Sequence, residues 1–256
     1  MRPKLRFALI LFLLILLPLS LSAAEGRVEL VEKLGEKIPL DLSFRNASGE
    51  RVELGQLVDR PTLMVPVFYN CRNVCNFLLG RMATILPQVK LNPGEDYNIV
   101  TFSFDPVETP EMAARSKKTF FTAMQAPEFP RAAWHFLVGS QDTILRLTDS
   151  FGYYFKKEED DFLHPVAAFV VAEDGKIVRY LIGQKTSPID LTMALLEAEE
   201  GRIGKPVKAA LQFCFSYDPE GRGYVFNLMR VSATVILLTL GSFLLFLILT
   251  GRKKKK

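Results

Sequence analysis

The sequence predicts an α/β sandwich built on a mixed central sheet, followed by a C-terminal membrane-spanning helix. Three observations carry that expectation. Apolar runs of strand length alternate with segments of helical spacing between residues 61 and 152. A hairpin and a capped helix close the domain over residues 166–200. Residues 231–250 then run twenty positions without a charge, enough helix to cross about 30 Å of hydrocarbon.

Each element follows from period and punctuation. Residues 40–44 and 51–54 flank the turn Asn46-Ala47-Ser48-Gly49 and read as a hairpin. Residues 61–69, "PTLMVPVFY", form a continuous apolar run, as expected of a strand buried on both faces. Phe77, Leu78, Met82, Ile85 and Leu86 recur at helical spacing over 76–86. "YNIVTFSF" at 97–104 is a strand, and Thr109-Pro110-Glu111 opens a helix to 124, with Thr109 as cap and Pro110 at the first helical position. Residues 134–138 make a short strand, and Ser140 starts a helix ending near Gly152. Residues 166–172 and 176–182 flank Glu173-Asp174-Gly175 as a second hairpin, and Ser187-Pro188 caps a last helix to 200. This order resembles that of a thioredoxin-like fold. The likeness implies that the end of the first central strand presents thiols at a helix N-terminus, whose partial positive charge stabilises thiolate.

The chain ends set the expected compartment. Arg2, Lys4 and Arg6 precede an unbroken apolar stretch over 7–17, and Ser22-Ala23-Ala24 stand ahead of Glu25. Residues 1–24 therefore read as a secretory signal peptide cut after Ala24, with an uncleaved anchor helix as the alternative. After the span at 231–250, the basic tail at 251–256 stays in the cytoplasm by the positive-inside rule. The domain at 25–200 is accordingly expected on the periplasmic, extracytoplasmic side of the cell membrane, joined to it by a juxtamembrane linker at 201–230. The two ends carry eight of the 32 basic residues and none of the 28 acidic ones, which leaves residues 25–230 with a net charge of −4. Nothing in that balance suggests nucleic-acid binding.

Two of the three cysteines, Cys71 and Cys75, lie in "YNCRNVCN", on the loop and first helical turn that follow the first central strand. Three readings compete for them. A structural disulfide suits an oxidising compartment, but so short a loop removes little chain entropy. Thiol-disulfide exchange suits thiols at a helix N-terminus. Relatives of thioredoxin that perform it usually space them by two residues rather than three and face them with a cis proline, a place that Pro165 would fill. A metal site needs a further ligand: two thiolates favour Cu(I), and an added imidazole extends the set to Cu(II). The chain has two histidines. His164, at the end of the acidic loop "KKEEDDFLH", is the candidate ligand, whereas His135 inside "WHFLV" reads as a core residue.

Three longer motifs narrow these readings. "VFYNCRNVCN", "FSFDPVETPEMA" and "HPVAAFVVAEDGKIV" together resemble the Sco/SenC family of membrane-anchored copper proteins over residues 30–200. The resemblance implies a thioredoxin-like domain that binds one copper ion, Cu(I) or Cu(II), through Cys71, Cys75 and His164. It further implies a chaperone that helps assemble the binuclear copper centre of cytochrome c oxidase, with Asp105 tuning the site from beside the ligands. The implied partners are a copper donor, the membrane, and the copper-site subunit of the oxidase or another periplasmic cuproprotein. The alternative is a thiol-disulfide oxidoreductase or redox sensor, with Cys71 and Cys75 as its redox pair. Four positions depart from the family pattern: Arg72 and Asn76 replace prolines, Glu108 stands for a second aspartate, and Pro165 follows the histidine. Cys214, in the linker, is expected among aromatics of the headgroup layer. A thiol there that trades copper or disulfide with Cys71 and Cys75 is the sharper alternative.

Overall fold

In a computed structural model, the described residues are 28–71, 74–159, 161–183, 186–203, 215–218, 223–226, 232 and 236–243. The strands, in chain order, are β1 (Glu29–Leu30), β2 (Ser43–Asn46), β3 (Arg51–Glu53), β4 (Thr62–Val67), β5 (Asn98–Ser103), β6 (Trp134–Val138), β7 (Tyr153–Tyr154), β8 (Lys156–Glu158), β9 (Asp161–Leu163), β10 (Ala167–Val171), β11 (Ile177–Ile182), β12 (Phe215–Asp218) and β13 (Gly223–Phe226). Four helices are named here: α1 (Val74–Ile85), α2 (Pro110–Met124), α3 (Gln141–Ser150) and α4 (Pro188–Glu199).

Seven strands form the main sheet in the order β11-β10-β4-β5-β6-β2-β3. The pairs β4/β5 and β5/β6 are parallel, and β10/β4, β10/β11, β2/β6 and β2/β3 are antiparallel. This is the mixed sheet of a thioredoxin-like fold. Its central strands β4, β5 and β10 are buried at every position, which is why they appear in the sequence as continuous apolar runs rather than alternations. The crossovers β4-α1-β5 and β5-α2-β6 advance the same way across the sheet, so right-handed connections put both helices on one face, where they touch.

Local chemistry sets the helix ends. Ser187 Oγ accepts from Asp190 N, and the Asp190 carboxylate accepts from Ser187 N, a reciprocal cap on α4. Ser140 Oγ accepts from Thr143 N and caps α3. Helix α1 begins at Val74, two residues before the start read from apolar spacing, so Cys75 lies within its first turn.

Three pairings escaped the periodicity. Strand β1 pairs with β7, Leu30 opposite Tyr153. The acidic loop at 156–163 is itself a hairpin, β8/β9, with Lys156 opposite Leu163. Residues 215–226, expected as part of a linker, contain the hairpin β12/β13. Each is two to four residues per strand, too short to establish a period.

The expected C-terminal membrane span is corrected. Among the described residues, no helix is long and apolar enough to cross a membrane. Within 231–250 the described helical residues are Ser232 and 236–243. Residues 1–24, read as a signal, the basic tail 251–256, and Cys214 lie outside the described residues.

Candidate metal and thiol site

The parallel register of β4 and β5 places Val67 opposite Ser103, so the two strands end side by side. The loops that leave them therefore meet: 68–71 carries Cys71, and 104–109 carries Asp105 and Glu108. Strand β10 runs antiparallel to β4, with Phe169 opposite Met64, which brings the start of β10 to that same end of the sheet. Pro66 offers no N–H, and the ladder with β10 stops at Met64, two residues earlier. Residues 164–166 thus leave the sheet beside the cysteine loop.

There the thiols and the imidazole meet. Cys71 and Cys75 are both buried and present as thiols, and their side chains hydrogen-bond to each other. Cys75 Sγ lies 3.7 Å from His164 Nε2. On its other side, His164 Nδ1 is 2.8 Å from the Pro165 carbonyl oxygen and 3.0 Å from the Tyr153 hydroxyl. His164 is held among aromatic rings, with the Phe104 centroid at 5.1 Å and the Phe68 ring edge-on at 6.4 Å. Phe162 packs on Phe68 and Phe104, so the β8/β9 hairpin covers the site.

Burial dominates the electrostatics of the thiols. It pushes the Cys75 thiol well above its usual range, and the hydrogen bond to Cys71 adds to the rise. A backbone hydrogen bond from Phe68 opposes this without prevailing. The helix N-terminus was expected to stabilise thiolate, but that contribution is worth about 1 kcal/mol, less than the desolvation of a buried anion. Cys75 is accordingly a protonated thiol until something positive arrives.

Glu108 grips the cysteine loop from the neighbouring strand end. Its carboxylate accepts from Tyr69 N at 2.8 Å, from Asn70 N at 2.7 Å and from the Ser103 hydroxyl at 2.5 Å. Burial raises its pKa, and these hydrogen bonds offset only part of the rise. Asp105 is also buried, but its carboxylate accepts from Val107 N at 3.2 Å, within its own turn. Of the two acids in "DPVE", the one that reaches toward the cysteines is Glu108. Sequence reasoning favours Asp105 and gives Tyr153 no role. The only signal for Glu108 is its place in the motif, and for Tyr153 there is none.

His135 stands mid-strand in β6 opposite Val100, half-buried. Burial, aided by nearby Lys117 and opposed by Asp59, lowers its pKa to about 4. It is a neutral structural residue, as expected. Pro165 is trans, since the described residues contain no cis peptide bond. The proline feature of thiol-exchange relatives is therefore not reproduced.

Two sulfurs and one imidazole nitrogen are donors suited to Cu(I), Cu(II) or zinc. Among the described residues, no three His, Cys, Asp or Glu side chains already enclose a metal position. The contacts form a chain, Cys71 to Cys75 to His164, held by thiol protons that a metal would displace.

A SCO1/SenC family profile matches residues 32–198. The chain belongs to the SCO1/SenC family. A curated relative, the SCO1 protein homolog of Bacillus subtilis (strain 168), is 30% identical over 152 residues, which span 58% of this chain and 75% of the relative. Among solved structures, BsSco, described as a member of the Sco family of cytochrome c oxidase assembly proteins with a disulfide switch, is 26% identical. Its TM-score is 0.52, with 66% of this chain and 98% of that one covered. Arabidopsis thaliana ScoI with copper bound shares the fold at 22% identity and TM-score 0.52, over 62% of this chain and 96% of that one.

Proposed function

We propose that this SCO1/SenC protein is a copper chaperone that carries one copper ion on Cys71, Cys75 and His164 and delivers it to the copper-site subunit of a cytochrome c oxidase. The observation that carries the reading is the approach of His164 Nε2 to Cys75 Sγ at 3.7 Å, with Nδ1 engaged on the far side of the ring. Thiol exchange has no need of a histidine held that way. Family membership supports the client assignment, and the copper held by the Arabidopsis relative supports the choice of metal.

The raised Cys75 pKa fits cargo handling better than nucleophilic catalysis. A buried thiol is a poor nucleophile near neutral pH, yet it ionises readily when its proton is exchanged for a cation. Loading then releases the two thiol protons, and the imidazole adds its lone pair without proton loss. Delivery proceeds by ligand exchange, in which thiolates of the client replace Cys71 and Cys75 one at a time. The leader read in residues 1–24 supports an extracytoplasmic place of work.

The test is an anaerobic copper titration of the reduced full-length chain against His164→Ala and Cys71→Ala. One-to-one binding that is lost in both variants is expected. Weak binding that is indifferent to His164, together with intact disulfide reductase activity, overturns the reading in favour of thiol exchange.

A further inference from the structure

Three atoms beside the thiol pair form a closed triangle. The Tyr153 hydroxyl is 3.0 Å from His164 Nδ1 and 3.0 Å from the Pro165 carbonyl oxygen, and those two atoms are 2.8 Å apart. A carbonyl oxygen can only accept a hydrogen bond. At 2.8 Å an unprotonated Nδ1 would set lone pair against lone pair, so Nδ1 carries the ring proton. The hydroxyl then donates to the Pro165 oxygen and presents its own oxygen to Nδ1–H. This assignment satisfies all three contacts and leaves Nε2, the atom facing Cys75, with its lone pair free of a proton.

We propose that Tyr153 is a positioning residue that holds His164 in its Nδ1–H tautomer, so that the Nε2 lone pair points at the thiol pair. Only its consequence for metal binding rests on the copper reading above. The hydroxyl acts twice, by receiving from the imidazole and by pinning the carbonyl that the imidazole also meets. Removing it takes away the contact that reaches Nδ1 from β7, while the contact with the Pro165 oxygen joins only neighbouring residues.

The fold holds Tyr153 still for this purpose. The ring is 1% exposed, with Phe104 at 5.9 Å and Phe169 edge-on at 6.0 Å between centroids. Its backbone is locked by β1, through Leu30 opposite Tyr153 and Val31 N donating to Gly152 O at 2.9 Å. Gly152 has φ +60 and passes so close to the Val31 carbonyl that a Cβ has no room. A short strand at the start of the domain thus sets the imidazole on which the site depends.

With two histidines in the chain, selective ¹⁵N labelling of histidine gives two imidazoles to read, and His135 serves as the internal reference. The spectra are taken on the reduced, metal-free full-length chain at a pH above about 8, where imidazole is neutral. The wild type is expected to show His164 as Nδ1–H alone. Tyr153→Phe, which keeps the ring, is expected to show a substantial share of Nε2–H at His164, unchanged His135 signals, and roughly tenfold weaker copper binding. A wild-type His164 protonated at Nε2, or the same His164 pattern in both proteins, overturns the inference. A tautomer change in Tyr153→Phe with no copper bound by either protein upholds it and sinks the copper reading instead.

Discussion

His164 and Cys75, 89 residues apart in the chain, bring Nε2 and Sγ to 3.7 Å, and both side chains are buried. The imidazole is oriented from behind by Tyr153 and Pro165, the thiol is kept protonated by burial, and the loop that carries Cys71 is tied down by Glu108. Each of these arrangements has a measurable consequence.

Cys75 is expected to react slowly. Its thiol is pushed up by burial first and by its hydrogen bond to Cys71 second, so near neutral pH the thiolate is scarce. A thiol whose pKa rises by one loses about nine tenths of its thiolate at a given pH. Iodoacetamide labelling of the reduced native protein, mapped by mass, should modify Cys75 at least about ten times more slowly than a cysteine in an unstructured peptide. Labelling as fast as the peptide would return the pair to the class of reactive redox thiols.

Glu108→Ala should destabilise the fold by about 3 kcal/mol, because two backbone N–H groups and a buried hydroxyl lose a charged acceptor. Urea unfolding measures the difference. Glu108→Gln should keep part of that stability, since its amide oxygen still accepts while its NH₂ cannot. Equal stability of all three proteins would show that the loop does not depend on this carboxylate.

Acid should weaken the protein through His135. Its folded pKa of about 4 lies below the ordinary 6.5, so the unfolded state binds the proton more readily. The stability is therefore fully present above pH 6.5 and is lost as pH falls toward 4. The loss is on the order of 2 kcal/mol once partial exposure is allowed for. His135→Val should flatten that part of the stability-versus-pH curve, and an unchanged slope would refute the assignment.

Gly152→Ala should cost about 3 kcal/mol, from a left-handed backbone position and the collision of a Cβ with the Val31 carbonyl. Because the residue leads into Tyr153, the same variant should also disturb the His164 tautomer pattern. Loss of stability with an unaltered His164 signal would mean that β7 does not transmit the change.

Most secondary structure was legible because its causes are local. The buried runs of β4 and β5, the Thr109-Pro110 start of α2 and the Ser187 cap of α4 each depend on residues within a few positions of one another. The two-residue strands β1 and β7 were not legible, since nothing in either predicts a partner more than a hundred residues away. The membrane span was read from a twenty-residue charge-free run and its basic stop, and among the described residues no helix is long and apolar enough to cross a membrane.

The sequence alone determined the α/β order, the place of Cys71 and Cys75 on the loop and first helical turn after the first central strand, and through three motifs the family and the choice of His164. Only the tertiary structure decided how those residues meet. The antiparallel register of β10 on β4 carries His164 to the cysteines, and the parallel register of β5 on β4 sends Glu108 rather than Asp105 to their loop. Burial then overrides the helix terminus in setting the state of Cys75. Spacing along a chain reports which groups are present, whereas desolvation and hydrogen-bond geometry depend on what surrounds them in space.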